Sequence, residues 1–504
     1  MNHLSGMDAM FLHLESAEMP MHIGGLHVLE LPAGQGGDFF EEVKACVAQR
    51  LHLAAVFNRK LANMPFDLSN PVWVDDEDID LDHHVRHFTL PKPGSNRQLQ
   101  QAIARLHSSL LDRSRPLWEL YIIDGLKSGE VALYTKLHHA GVDGQAGMEV
   151  GRALFDMEPS GRKIRPPRPK LRRNQYQLGV AELMGAALFN GSQQCLKLVR
   201  MLPEMGRVAA DLVLNRKGPL VRQMASLTKT RQRMTPRTPF NEAITNQRSF
   251  AGRTVPLAEI KQIAKAFSVS LNDVVMATVA GTLRRYLSES RELPSRSMSA
   301  AVPASLRELG DDTANNQVSV LIVDLATDEA DPLVRLQRIS ASATQRKDSL
   351  SNYKSLIPTD FPILAAPWLI SGAASLYGRS RMANWMPPPA NLVISNVAGI
   401  PVPLYFAGAK VISYYPVSIP CHGMALNVTV ASYNGRMDYG LIACRRTIAD
   451  LNELGDYLLA EHRLLFEMTQ GTAAEEQYSA TCTAEAPVMK NKTVRNRREH
   501  RISH

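Results

Sequence analysis

The chain has little cysteine. Its five residues, Cys46, Cys195, Cys421, Cys444 and Cys482, are scattered over 504 positions without a CxxC pair. An odd, dispersed set supplies neither a disulfide framework nor a cysteine-built zinc site, so a reducing cytoplasm is the expected compartment. No GxSxG nucleophile elbow occurs, which excludes that serine-hydrolase route. No HExxH or DxH partner stands near the histidine pair at 138–139, so no metal is expected there. The first eight residues lack a basic n-region and an apolar h-region, and no signal peptide is expected. Charge-free runs do occur at 361–378, 382–409 and 411–435. Each is broken: Pro362 and Pro367 in the first, Pro387 to Pro389 in the second, Pro416, Pro420 and His422 in the third. None reads as a good membrane helix.

What remains is globular. Hydrophobic residues make up 45% and charged residues 21%, enough chain for two or three domains. Charge is unevenly placed. Residues 161–240 hold 17 Lys and Arg against Glu182, Glu204 and Asp211, a local net of +14 in a chain whose total is +8. A basic block in an otherwise mildly acidic protein points to a local anionic partner. Its few interleaved aromatics argue against single-stranded nucleic acid.

Four regions follow. Residues 1–158 mix strand-like runs (Met21 to Leu31, Leu120 to Ile123, Val131 to Leu137) with helical spacing at 39–51 and 97–111. Residues 159–240 open on a Pro/Arg-rich linker and continue with apolar, basic segments read as helices. These helices either lie on anionic lipid or pack on the domains as a hinge. Residues 241–470 form a second mixed unit. There Ser270 and Asp273 bracket a capping box, and Asn434-Gly435 turns a hairpin between 426 and 444. Residues 471–504 read as a disordered basic tail.

The chemistry concentrates at Leu137-His138-His139-Ala140-Gly141-Val142-Asp143-Gly144, an HHxxxDG pattern between a strand-like and a helix-like run. Histidine exchanges protons near neutral pH, so His139 is the candidate general base, a contribution of about 10² to 10⁴ in rate. Adjacent strand residues face opposite ways, which speaks against a shared metal and makes His138 the lesser partner. Competing readings remain: a polar strand end for the pair, and a loop cap for Asp143.

Four motifs in order carry a resemblance. They are Pro116-Leu117-Trp118, HHxxxDG, Asn272-Asp273, and Ser395-Asn396-Val397-Ala398-Gly399. With the opening Leu4-Ser5-Gly6-Met7-Asp8, the chain resembles the bacterial bifunctional wax ester synthase/acyl-CoA:diacylglycerol acyltransferase family over nearly its whole length. Ala398 and Ile400 replace two prolines of the family's NVPGP motif.

The resemblance implies an α/β fold of two chloramphenicol-acetyltransferase-like halves, each a mixed sheet with helices, joined by a helical linker. It implies transfer of a fatty acyl group from acyl-CoA to a diacylglycerol or long-chain alcohol. His139 would be the base, Asn272 an active-site amide, and Asp143 a structural support paired with an arginine. Glu15 matches a glutamate of the family, the competing reading being a surface carboxylate. Trp118, Gly144, Ser395 and Gly399 would lie toward substrate, Trp118 more as a packing anchor. Residues 361–378 would wall an acyl channel or form a plain core helix. No cofactor is expected, since acyl-CoA is a substrate. A cytoplasmic enzyme touching the inner membrane face or lipid inclusions is the expected setting. Two alternatives stand beside this one: a condensation-like acyltransferase using carrier-protein thioesters, and a non-catalytic lipid-surface protein.

Overall fold

The computed structural model describes residues 2–166 except 5, 33, 35–36, 63–69 and 143, residues 235–353 except 291 and 306–317, and residues 376–484 except 379. The helices expected in the basic linker, most of the 361–378 run, Asp143 and the last twenty residues lie outside the described residues.

In chain order the first half holds β1 (Asn2–His3), α1 (Gly6–Leu14), β2 (His22–Glu30), α2 (Phe39–Arg50), α3 (Ala55–Asn58), β3 (Arg59–Ala62), β4 (Val72–Asp75), α4 (Leu81–His84), β5 (Val85–Thr89), α5 (Asn96–Ser108), β6 (Trp118–Asp124), β7 (Val131–His138) and α6 (Gly144–Leu154). The second holds β8 (Arg248–Pro256), α7 (Leu257–Ala266), α8 (Leu271–Glu289), β9 (Ser299–Ser305), β10 (Val318–Asp324), α9 (Pro332–Tyr353), β11 (Leu392–Ile400), β12 (Tyr405–Phe406), β13 (Ala409–Val417), β14 (Leu426–Tyr433), β15 (Arg436–Cys444) and α10 (Leu451–Ala484).

Two six-stranded sheets result, ordered β12-β13-β2-β7-β6-β5 and β10-β9-β11-β14-β15-β8. Both are mixed. β5 runs parallel to β6, and β11 runs parallel to β14 and β9. The first sheet is not built from the first half alone. β13 crosses over from the second half and pairs antiparallel with β2, Tyr414 opposite His27 and Pro416 opposite Gly25. A two-half division at residue 241 therefore describes the sequence but not the sheets. Interleaving of this kind hides the edge of β2 and ties the halves together.

β7 is buried along its entire length, which is why it reads as a nearly continuous apolar run. Leu133 and Leu137 face Phe39, Val43 and Val47 of α2 and Val150 and Leu154 of α6. Ala132 and Tyr134 face Leu99 and Ile103 of α5, in a cluster that Phe250, Val417 and Ile442 complete from the second half. The second sheet packs Val428 and Leu441 under Ile260, Val274, Leu283, Leu454 and Leu458.

Local signals fare well where sequence chemistry is strict. Asn434 and Gly435 take φ of 42° and 80° and turn the β14–β15 hairpin, as a type I′ turn requires. Ser270 and Asp273 exchange both bonds of a capping box at the start of α8. The tail expectation needs correction, because α10 continues to Ala484. The stretch after Gln470 is polar, yet Ala, Glu and Gln dominate 473–477 and no proline occurs before Pro487, so helix propensity carries it on. No single helix among the described residues is long and apolar enough to cross a membrane.

Candidate active site

The strand β7 ends at His138, and the chain turns away in a single 3₁₀ turn, His139–Gly141. That change of direction separates two neighbouring imidazoles. His138 is sealed at 1% exposure. Its Nδ1 accepts from the Ala140 N–H at 3.1 Å, which leaves the ring proton on Nε2, donated to Glu15 Oε1 at 3.1 Å. His139 remains partly exposed. Its ring stacks on Phe11 of α1, centroids 3.9 Å apart and planes 13° from parallel. Its backbone N–H donates to Met21 O at 2.9 Å.

Glu15 is the organiser. The side chain is 4% exposed, which overturns the surface-carboxylate reading. Oε1 also accepts from the Met21 N–H at 3.1 Å, and Oε2 accepts from Arg113 Nε and Nη2 at 3.0 and 2.7 Å. Burial pushes this carboxyl up, but His138 and then Arg113 outweigh burial and bring it from 4.5 down to about 2. Glu15 is thus a fixed anion. It grips Met21 by its N–H while Met21 grips His139 through its carbonyl, so one carboxylate braces both histidines.

Behind His138 lies a buried polar file on the α5 side of the sheet. His22, the cross-strand partner of His138, donates from Nε2 to His107 O at 2.6 Å. His107 donates from Nε2 to Ser418 O at 2.9 Å and accepts the Tyr134 hydroxyl at 2.7 Å on Nδ1. Burial holds both rings far below the usual histidine range, His107 at about 3. Lys136, fully buried, pairs with Glu119 at 3.1 Å; burial lowers its ammonium despite that partner. Sequence reading missed His22, His107 and the Lys136–Glu119 pair. The available signal was a lysine inside an otherwise apolar strand and a histidine at the end of an amphipathic helix.

The description of the wax ester synthase/diacylglycerol acyltransferase catalytic domain matches residues 4–275, and that of the WS/DGAT C-terminal domain matches residues 314–465. The chain belongs to the wax ester synthase/diacylglycerol acyltransferase family. It is an acyltransferase like the relatives it resembles. It is 36% identical over 453 residues to a probable diacylglycerol O-acyltransferase, tgs2, of Mycobacterium tuberculosis, covering 89% of this chain and 95% of that one. It is 33% identical over 486 residues to the O-acyltransferase WSD of Acinetobacter baylyi, covering 95% and 99%. The solved wax ester synthase/diacylglycerol acyltransferase of Marinobacter aquaeolei VT8 is 30% identical, with a TM-score of 0.65 over 93% of this chain and 100% of that one. The first condensation domain of the calcium-dependent antibiotic synthetase shares the fold at 14% identity and a TM-score of 0.53.

The other family-motif residues fall at several places. Trp118 has no exposed surface. Its indole donates to Phe57 O at 3.1 Å and its ring stacks on His84 at 4.3 Å. That is a packing anchor, and the expectation of a substrate contact at this ring is corrected: the ring is sealed. Gly144 opens α6. Asn272, second residue of α8, donates from Nδ2 to the Met276 sulfur at 4.0 Å, within its own helix. Its neighbour Asp273 is tied to the Ser270 cap and accepts Ser340 Oγ at 3.0 Å from α9. Ser395 and Gly399 lie on β11. A Cβ at Gly399 would collide with the Ser432 carbonyl, so glycine there permits the close approach of β14.

Proposed function

We propose that His139 is the general base of acyl transfer from acyl-CoA to the hydroxyl of a diacylglycerol or long-chain alcohol. The observation that carries this is the contrast between the two neighbours. His138 spends both ring nitrogens inside the protein, while His139 leaves the strand, stays partly exposed and is held by Phe11 and Met21. The imidazole takes the hydroxyl proton as the oxygen attacks the thioester carbonyl. The tetrahedral intermediate then collapses, the C–S bond breaks, and the CoA sulfur leaves with the proton from His139. Triacylglycerol or wax ester is the product. Asn272 is the candidate amide for the developing oxyanion, a donor worth about 10² to 10³ in rate. Asp143, four residues after His139 in HHxxxDG, is assigned a supporting rather than a reacting role. Because the apolar tails of both substrates partition into lipid, the setting is the cytoplasmic face of a membrane or an inclusion.

The test uses purified protein, labelled palmitoyl-CoA, and hexadecanol or diacylglycerol, following thiol release and lipid product together. His139→Ala is expected to lower turnover about 10³-fold with an unchanged melting temperature. A folded His139→Ala protein with wild-type turnover would overturn the assignment.

A further inference from the structure

Single exposed apolar side chains are common on any surface and need no account. Leu376, Trp385 and Met386 differ. They expose 64%, 69% and 40% of their surface within one short stretch, and the backbone beneath them is tightly held. Met382–Asn384 forms a 3₁₀ turn entered through Arg381 at φ 52°. The Trp385 and Met386 N–H groups both donate to Met382 O, at 3.1 and 2.9 Å. Arg237 donates to Met386 O at 2.7 Å and to Ala383 O at 2.9 Å. Asn384 Oδ1 accepts the Ala243 N–H at 2.6 Å. The tips are therefore presented outward on a fixed base.

Charge converges on the same place. Arg237 and Arg381 are exposed. The basic stretch of 161–240 re-enters the described structure at Thr235, whose hydroxyl bonds Ser299 and, at 3.4 Å, Pro389 O. The charge-free sequence 361–378 leads into the turn from the other side. Inward, Tyr377 packs edge-on against His422 at 6.1 Å. The preceding residue, Cys421, packs against the apolar cluster of Met19 and Met21, as does Phe11, on which His139 stacks.

We propose that this turn docks on an anionic phospholipid surface, with Trp385 and Met386 in the interfacial layer, Arg381 over phosphates, and Arg237 holding the turn from beneath while adding its charge. Tryptophan favours that layer because its ring is apolar and its N–H stays wet. Apolar tips beside basic side chains are the composition of an interfacial anchor. The inference rests on the lipid-substrate reading above, since a protein with lipid-dissolved substrates gains from standing on lipid.

The experiment compares wild type with the double variant Trp385→Ser, Met386→Ser on phosphatidylcholine vesicles with and without phosphatidylglycerol. Wild type is expected to bind the anionic vesicles more tightly. The double variant is expected to lose about tenfold in affinity, a fraction of full burial of the two side chains. Turnover of a short-chain acyl-CoA with a water-soluble alcohol is expected to be equal in both. Brominated lipid is expected to quench wild-type fluorescence more than that of Trp385→Phe. Equal vesicle binding by the two proteins overturns the proposal, as does equal quenching. So does sedimentation showing that the patch joins two copies, separated by the double substitution. If wild type turns over no soluble thioester, the acyl-transfer reading fails, and the vesicle data still decide the docking surface.

Discussion

The two sheets bury different things. Under α5, the first sheet hides His22, His138, His107, Lys136 and Glu119, every one under 8% exposed. Under α7, α8 and α10, the second sheet presents a large cluster of aliphatic and aromatic side chains. Buried polar groups are costly unless paired, and paired ones fix geometry closely. The first sheet therefore trades stability for position beside His139. The second contributes the larger apolar core, while the second half of the chain, through β13 and Ser418, closes the first sheet.

The sharpest way to break that contrast is Glu15→Ala. It removes the acceptor of Arg113, His138 and Met21 at once. Stability is expected to fall by about 3 kcal/mol, with Arg113 left to solvent. Turnover is expected to fall in kcat more than in KM, since Glu15 touches His139 only through Met21. The sign with pH follows from the depressed carboxyl. Its stabilisation is present above the unfolded value of 4.5 and is lost as pH falls toward about 2. Denaturant titrations across that window should show a slope in wild type that Glu15→Ala lacks. A variant with the same acid limb and full kcat would remove Glu15 from the brace.

The local elements were readable beforehand; the buried polar file was not, and the reason is physical. Strict local chemistry, such as the Asn434-Gly435 turn and the Ser270–Asp273 box, acts within a few residues and is written in them. HHxxxDG marked the end of a strand and the turn that follows it. The resemblance pointed to Glu15, but nothing in the residues around it tied that carboxylate to the histidine pair or ruled out a surface position. Glu15 lies 123 positions from His138, and a glutamate just past a helix end looks like a surface residue until α1 packs on the turn that follows β7. The crossing of β13 into the first sheet is similarly non-local, since alternation signals a strand but not its neighbour. Trp118 shows the reverse problem: a family motif marks importance without telling core from contact.

In the second sheet, the counterpart is a plain cavity. Val274 on α8 is completely buried in the apolar cluster. Val274→Ala is expected to cost about 2 kcal/mol, read by urea unfolding, while the folded fraction keeps wild-type kcat. A drop in kcat larger than the drop in folded protein would show that this core also positions the site.

The smallest expected effect tests the polar file at its far end. Tyr134 lies on β7 four residues before His138, and its hydroxyl meets His107 Nδ1 at 2.7 Å. Tyr134→Phe keeps the ring between Leu26, Leu99 and Ile103 and removes only that bond, at a cost of about 1 kcal/mol. If the file positions β7, kcat falls slightly with KM unchanged, and His107 still holds Ser418. If it merely fills space, stability alone moves. Measuring both on one preparation decides whether the polar interior acts on the histidine pair or is confined to the packing of α5.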